Sequence, residues 1–452
     1  MLRMNLNPRT ASRTVFFVAC LMSGVSASWS MDLLQAYEAA KKHDSTLRAA
    51  RAAADAGRER LPQALAQLRP NVSANIAYNQ NQLSSTSANF LGREQTTDSN
   101  YASSNQTLTV RQPLYRSGLM AQYRQAMADV DNSNALLAQE EQSLPVRVSG
   151  AYFEAMLTNE QLVLVLAQRA AYTAQLDAAR KSFAAGVGTR TDIDEAQARL
   201  DMALSQELDA RENVDYTLRQ LQILVNEPIE RLAKLEVSRL QLLSPQPNSL
   251  SAWIERAEQN SPQLQALRAR LEAARQELEK AESGHHPTLD AIAQWSRSES
   301  ESVTNVNSKY TNLVLGLQLS IPIYGGGYAS SVVRQSLAGV ERAKEELEGA
   351  RRDLGLRVHK EFRSLSDSVP KIRAIEQAAR SADQLLVSSR RSFSAGNRTV
   401  LDVLNAEQQR TLVLRDLAQV RFLHLIARVR LLALVGAADD LAMQEINHML
   451  QL

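Results

Sequence analysis

The sequence predicts a mainly α-helical protein with a membrane β-barrel portion, built from two tandem repeats. Three observations carry that expectation. Landmark residues of the first half recur in order in the second half. Each half holds a stretch of nearly 70 residues with helix-forming composition. Short segments alternate apolar and polar residues, while no apolar run after the first thirty residues is long enough for a membrane helix.

The repeat is legible in matched pairs. Leu47 and Pro70 correspond to Leu264 and Pro287 at an offset of 217. Pro113, Tyr115 and Gly118 correspond to Pro322, Tyr324 and Gly327 at 209. Phe183, Gly186, Asp192 and Val225 match Phe393, Gly396, Asp402 and Val435 at 210. The offset drops by eight after Pro70 because the first copy carries the longer polar loop. Each copy therefore reads helix, strand, loop, strand, long helix, turn, long helix. The opening helices are expected over Asp32 to Leu68 and Leu250 to Ser283, each stopped by a proline that cannot continue the helical ladder.

Strands are predicted near 70–82, 101–115, 287–298 and 309–323. Val72, Ala74, Ile76 and Tyr78 share one face of the first, and Leu289, Ala291, Ala293 and Trp295 share the matching face of the third. The fourth alternates most clearly, with Leu313, Leu315, Leu317, Leu319 and Ile321 opposite Asn312, Gln318 and Ser320. Only Leu108 and Val110 are clearly apolar in the second. A soluble sheet covering a core has the same periodicity. Strand lengths near those of a tilted span favour the membrane, as do Tyr78 and Trp295 at one repeat position, where an interfacial aromatic girdle would lie. The polar segments Leu83 to Asn100 and Glu299 to Ser308 are expected to be solvated outer loops. Four strands cannot close a barrel, so at least two chains are required.

Gly118 to Gly186 and Gly327 to Gly396 span 68 and 69 residues, about 100 Å as continuous helix. Such rods need neighbours. Ala406, Val413, Leu417, Val420, Ala427, Leu431 and Leu434 form a 4-3 seam broken by Arg410 and His424; in copy one Ala196, Leu200, Ala203, Ala210, Val214, Leu221 and Leu224 do the same around Glu207 and Thr217. Pro145 and Pro370 inside the ascending helices predict kinks or breaks.

The N-terminus reads as an export signal. Arg3, Arg9 and Arg13 precede an apolar stretch from Val15 to Val25, and Val25-Ser26-Ala27 offers a small-residue cleavage site. The stretch is too short for a membrane anchor. Phe17-Val18-Ala19-Cys20 departs from a lipoprotein box, and a mature chain starting after Ala27 has no thiol. The net charge of +2 falls to about −1 without the signal arginines, so no basic field invites nucleic acid. His285-His286 lacks any companion ligand spacing, and no phosphate loop, nucleophile elbow or metalloprotease motif is present. No metal, cofactor or enzymatic activity is expected.

With these residues in hand, the chain resembles the TolC family of outer-membrane efflux and secretion channels. The resemblance rests on MDLLQAYEAAKKHDSTLR at 31–48, GHHPTLD at 284–290 and LSIPIYGGG at 319–327. It rests also on the tip segments FAAGVGTRTDIDEAQ at 183–197 and FSAGNRTVLDVLNAEQ at 393–408. The resemblance implies a homotrimer with one twelve-stranded barrel in the outer membrane and a helical tunnel through the periplasm. It implies strand-to-helix turns at Pro113 to Gly118 and at Pro322 with Gly325, Gly326 and Gly327. It implies helix-tip turns, which also dock an adaptor, at Gly186, Gly188 and Gly396. The periplasmic gate by the same likeness comprises Arg398 as a linking arginine, Thr191 and Asp192 as its partners, and Asp402 as a ring carboxylate. A second ring position falls on Asn405, which is uncharged and departs from the pattern. The implied partners are a periplasmic adaptor, an inner-membrane ABC or proton-driven transporter, and outer-membrane lipid.

The resulting division is a signal peptide at 1–27, a first repeat at 28–226 with its tip near 186–191, and an equatorial linker at 227–248. A second repeat occupies 249–436 with its tip near 396–399, followed by a C-terminal tail at 437–452. The expected function is a passive exit duct of a tripartite export system, for type I protein secretion or small-molecule efflux, with a slight preference for protein. A periplasmic coiled-coil scaffold or adaptor is the competing class; it leaves the alternating strands unexplained.

Overall fold

The computed structural model describes residues 30–88, 90–301 and 307–451. The signal segment, its cleavage site and Cys20 lie outside the described residues.

The first repeat opens with α1 (Leu33–His43), α2 (Ser45–Arg58) and α3 (Arg60–Leu68), followed by β1 (Asn71–Ala88) and β2 (Glu94–Tyr115). The long hairpin α4 (Ser117–Ala184) and α5 (Arg190–Val225) completes it, and β3 (Lys234–Leu235) lies in the linker. The second repeat comprises α6 (Leu250–Asn260), α7 (Pro262–Glu282), β4 (Thr288–Glu301), β5 (Asn307–Ser320), α8 (Tyr328–Ser394) and α9 (Val400–Leu434). The chain continues through α10 (Asp440–Asn447) and β6 (Leu450–Gln451).

Several expectations are corrected. The opening helices are segmented, because Asp44 leaves helical geometry (ψ 122°) and its carboxylate caps the next helix at Leu47 N, 2.6 Å away. At the equivalent break, Ser261 precedes Pro262, which starts α7 without an N–H to give. Most of Leu83 to Asn100 is strand rather than loop: β1 and β2 stay paired out to Ala88↔Glu94. Pro145 and Pro370 break neither helix, since α4 and α8 run continuously through them. Buried Leu144 and Val148, and Val369 and Ile372, pin the backbone around each proline, so one missing ladder bond does not end the helix.

The sheet order is β1-β2-β4-β5, antiparallel throughout. Its register brings the separate alternations onto one face: Val72, Val110, Ala293 and Leu315 form one row, and Ala74, Leu108, Trp295 and Leu313 another. Among the described residues no helix packs over this face; Ile76 is 81% exposed and Leu315 72%. A soluble sheet would cover that surface. The apolar stretch lies several residues further along β1 than along β5. That oblique course is what strands tilted about 35–45° to a barrel axis produce. Tyr78 and Trp295, four residues apart in register, both stand at its far edge, where the ion pair Glu299–Lys309 follows on the same face. β1 and β5 are unpaired on their outer sides among the described residues.

The rods are held by two related cores. In copy one, Ala40 and Leu47 pack with Leu144, Val148, Tyr152, Leu221 and Val225. In copy two, Ala257 and Leu264 pack with Leu354, Val358, Phe362, Leu431 and Val435, each the repeat partner of the residue before. The first core is larger because α1 also meets the tail. Met443, Ile446 and Leu450 join it, β6 pairs with β3, and Met31 bridges Leu232. The segment 437–451 is thus a folded part of the equator.

The polar seam residues are partnered. Glu207 accepts from Arg169 at 2.6 Å and Arg211 at 2.7 Å, and Thr217 shares a hydroxyl bond with Thr158 at 2.8 Å. His424, 1% exposed, shares a 2.7 Å bond with Ser368. Burial, with Arg428 nearby, lowers its pKa to about 4.

Two outcomes follow from this architecture. Leu317→Arg puts charge on the apolar face, at a cost of about 2–4 kcal/mol near a bilayer midplane, whereas Asn312→Arg faces the other way. Assembly into membranes should fall for the first and survive for the second; equal yields by heat-modifiability would reverse the facing. Unfolded His424 takes a proton at its ordinary pKa but the buried ring only near pH 4, so falling pH through that window favours the unfolded chain. His424→Asn should lose less helicity in urea than the parent as pH drops from 7 to 4.5; matching curves would clear this imidazole of any role.

Candidate periplasmic gate and barrel junction

The two hairpin tips are built alike. After α4, Gly186 adopts φ +75°, Gly186 N donates to Phe183 O at 3.0 Å and Val187 N to Ser182 O at 3.0 Å. After α8, Gly396 adopts φ +77°, Gly396 N donates to Phe393 O and Asn397 N to Ser392 O, both at 2.9 Å. This double bond satisfies the last helical carbonyls, and the left-handed backbone makes glycine the fitting residue. Gly188 has a different reason: a Cβ there would stand 2.9 Å from Phe183 N.

Each return helix begins with a reciprocal cap. Thr189 caps α5 with Asp192, and Thr399 caps α9 with Asp402. Asp402 Oδ2 accepts from Thr399 N and Oγ1, both at 2.9 Å, which with Arg398 nearby holds its carboxyl below the usual range. Both carboxylates are therefore oriented by their own helix starts. Arg398 does not reach Thr191 or Asp192 within the chain; it donates to Ser389 Oγ at 3.3 Å on α8.

What ties the two hairpins together near the tips is a pair of features that sequence spacing did not reveal. Tyr172 and Ala203 of the first hairpin pack on Val400 and Leu404 of the second. Beside them Arg199 donates to Gln408 Oε1 at 2.7 Å and to Asn405 Oδ1 at 3.2 Å. Periodicity within one helix cannot tell which residue of another hairpin it will face. Asn405 is thus an uncharged acceptor for Arg199.

At the opposite end of the long helices, β2 passes into α4 and β5 into α8. Pro113 lies inside β2, where pairing with β4 shifts before Tyr115, and Pro322 follows the end of β5. Gly326 and Gly327 take φ +62° and +82° to turn the chain, while Gly325 does not. Gly118 is not a turn residue: it sits in the first turn of α4, where a Cβ would meet Ser283 Oγ at 2.5 Å. Arg116, the residue before α4, grips the buried Asp290 of β4 with bonds of 2.8 and 2.5 Å.

Among the described residues no helix is long and apolar enough to cross a membrane, and no cluster of metal-ligating side chains occurs. A sheet with an uncovered apolar face and edges unpaired among the described residues, carried on helices of 68 and 67 residues, is the architecture of an outer-membrane channel protein.

The family description "Outer membrane efflux protein" matches residues 36–227 and 253–437, one block per repeat. The chain is 32% identical over 431 residues to the proteases secretion protein PrtF of Dickeya chrysanthemi, covering 95% of this chain and 93% of that protein. It is 33% identical to the alkaline protease secretion protein AprF of Pseudomonas aeruginosa, covering 94% and 89%. Identity to the outer membrane protein TolC of Escherichia coli is 28%, covering 95% and 87%. The solved VceC outer membrane protein of Vibrio cholerae superposes with a TM-score of 0.77 at 18% identity, covering 90% of this chain and 96% of that chain. The chain belongs to this outer-membrane efflux family, the TolC family, and is an outer-membrane export channel rather than an enzyme.

Gly396→Ala forces a side chain into the left-handed region at a cost of about 1 kcal/mol, whereas Gly325→Ala meets neither strain nor contact. The first should raise proteolytic nicking at the second tip about fivefold and the second leave it unchanged; no difference between them would remove the strain assignment.

Proposed function

We propose that three copies of this chain form one twelve-stranded barrel continued by a helical tunnel, a passive duct through which a type I system exports protein. The observation that carries it is the four-stranded sheet with one lipid-suited face and two unpaired edges. In hydrocarbon every strand needs a partner on both sides, so the sheet is complete only when closed by other copies. Tyr78 and Trp295 stand at the lipid–water boundary of this barrel. Protein rather than small-molecule cargo is favoured by the likeness to the protease secretion proteins PrtF and AprF, whose identities of 32% and 33% exceed the 28% to TolC of E. coli.

Energy comes from an inner-membrane transporter reached through a periplasmic adaptor that docks at the tips around Gly186, Gly188 and Gly396. The mouth there is closed by polar links between neighbouring chains, with Arg398 facing Thr191 and Asp192 of the next hairpin. Asp402 supplies one carboxylate per chain to a single acidic ring. Asn405 adds no charge to it, so cation binding at the mouth is weaker than two rings would give.

Purified protein should be trimeric in detergent and form channels in planar bilayers. Arg398→Ser should raise conductance by favouring the open mouth, and Asp402→Ala should reduce cation preference. A folded monomer spanning the bilayer would refute the closed-barrel reading. Unchanged conductance and selectivity in both variants, with trimers intact, would refute the gate while leaving the duct.

A further inference from the structure

The register that gathers the apolar residues on one side of the sheet fixes what stands on the other. That side carries Asn75, Asn79, Thr107, Thr109, Gln294 and Asn312 among many small polar residues. In the described strands it holds just two side chains that are charged at neutral pH, Arg111 and Asp290, both at the end of the sheet next to the helices. The charged residues of the outer ends, such as Arg297, Glu299 and Lys309, project from the apolar side instead.

Arg111 and Asp290 are not simply each other's partner. Asp290 is buried and already held through both oxygens by Arg116, whereas Arg111 Nε approaches it only to 3.6 Å. The Arg111 guanidinium otherwise reaches Gln318 Oε1 at 3.4 Å, and its side chain remains 48% exposed. The two arginines and one carboxylate leave one positive charge per chain. The strand-to-helix passage itself does not demand it. In the second repeat, the positions of Arg111 and Arg116 are Ser320 and Gly325, and the chain makes the same transition without charge.

We propose that Arg111 supplies, once per chain, a cationic collar at the foot of an otherwise uncharged barrel lumen, and that this collar transiently holds carboxylate-bearing segments of a polypeptide in transit. The inference rests on the trimeric-duct reading. Three-fold symmetry places three such charges around one conduit, where low-dielectric walls concentrate their potential. Contacts of this kind favour entry and still release, because the guanidinium is half solvated and its attraction is screened by salt. The sign is opposite to that of Asp402 at the mouth, so the two sites are separable by ion selectivity.

The test uses the full-length protein in planar bilayers, with poly-L-glutamate added opposite the side of protein addition, where the barrel opens. The parent should be blocked, and Arg111→Gln should weaken that block at least about tenfold. Arg111→Lys should retain it, and poly-L-lysine should block none of these channels through this position. In a KCl gradient, Arg111→Gln should move the reversal potential toward cation preference, the direction opposite to Asp402→Ala. If Arg111→Gln does not assemble, Gln318→Glu places a counter-charge beside the intact arginine and should weaken the block equally. Conducting Arg111→Gln or Gln318→Glu channels blocked like the parent would overturn the collar. A parent protein that forms no channels would instead overturn the duct.

Discussion

A β-strand in hydrocarbon has no water to satisfy its outer N–H and C=O groups, and among the described residues β1 and β5 each leave such an edge unpaired. Everything else about the molecule accommodates that deficit. The sheet is short of closure by design of the repeat, which supplies two strands per copy and four per chain. Its apolar side is left uncovered by any helix of the described residues, which suits an apolar surrounding. The register then gathers the other strand residues on an opposite side rich in hydroxyls and amides, with its charge confined to the end next to the helices.

The helical rods solve a different problem. A helix of 68 residues gains little from propensity alone and needs continuous lateral packing. Small seam residues such as Ala196, Ala203 and Ala406 let the helices approach, and the polar interruptions are each given a partner: Glu207 its arginines, Thr217 its threonine, His424 its serine. A buried polar group left unpaired costs about 1–3 kcal/mol, so these pairings keep the seam from being weakened where it is not apolar. The greatest apolar burial is at the equator, where α1, the linker and the C-terminal segment pack against the rods. That girdle leaves the tips, tied by Tyr172, Val400, Leu404 and Arg199, as the lightly held end.

The tips show how one residue serves folding first. Asp192 and Asp402 complete capping boxes, and this fixes where their carboxylates stand before any pore is considered. Charge at the tips therefore comes at no extra structural cost, since the helix starts want an acidic residue there. At the other end, Arg116 and Asp290 tie β4 to the start of α4, which leaves Arg111 only a 3.6 Å approach to that carboxylate and a long bond to Gln318.

The sequence by itself determined the two repeats, the strand faces, the long rods and the glycine tips. Each is written in spacing within one segment: period two in Leu313 to Ile321, the 4-3 seam around Ala406, glycine where φ is positive. It could not determine relations between segments. The break at Asp44 depended on a cap and on Arg147 from another helix, and continuity through Pro145 on neighbours that pin it. The pairing of the 83–100 segment into a long hairpin depended on backbone bonds that polar side chains do not announce. Arg199 meeting Asn405, the tail joining the equator, and Arg111 left without a full counter-charge depended on which elements the fold sets side by side. Local periodicity encodes the surface each element must bury, and only the packed chain decides what it is buried against.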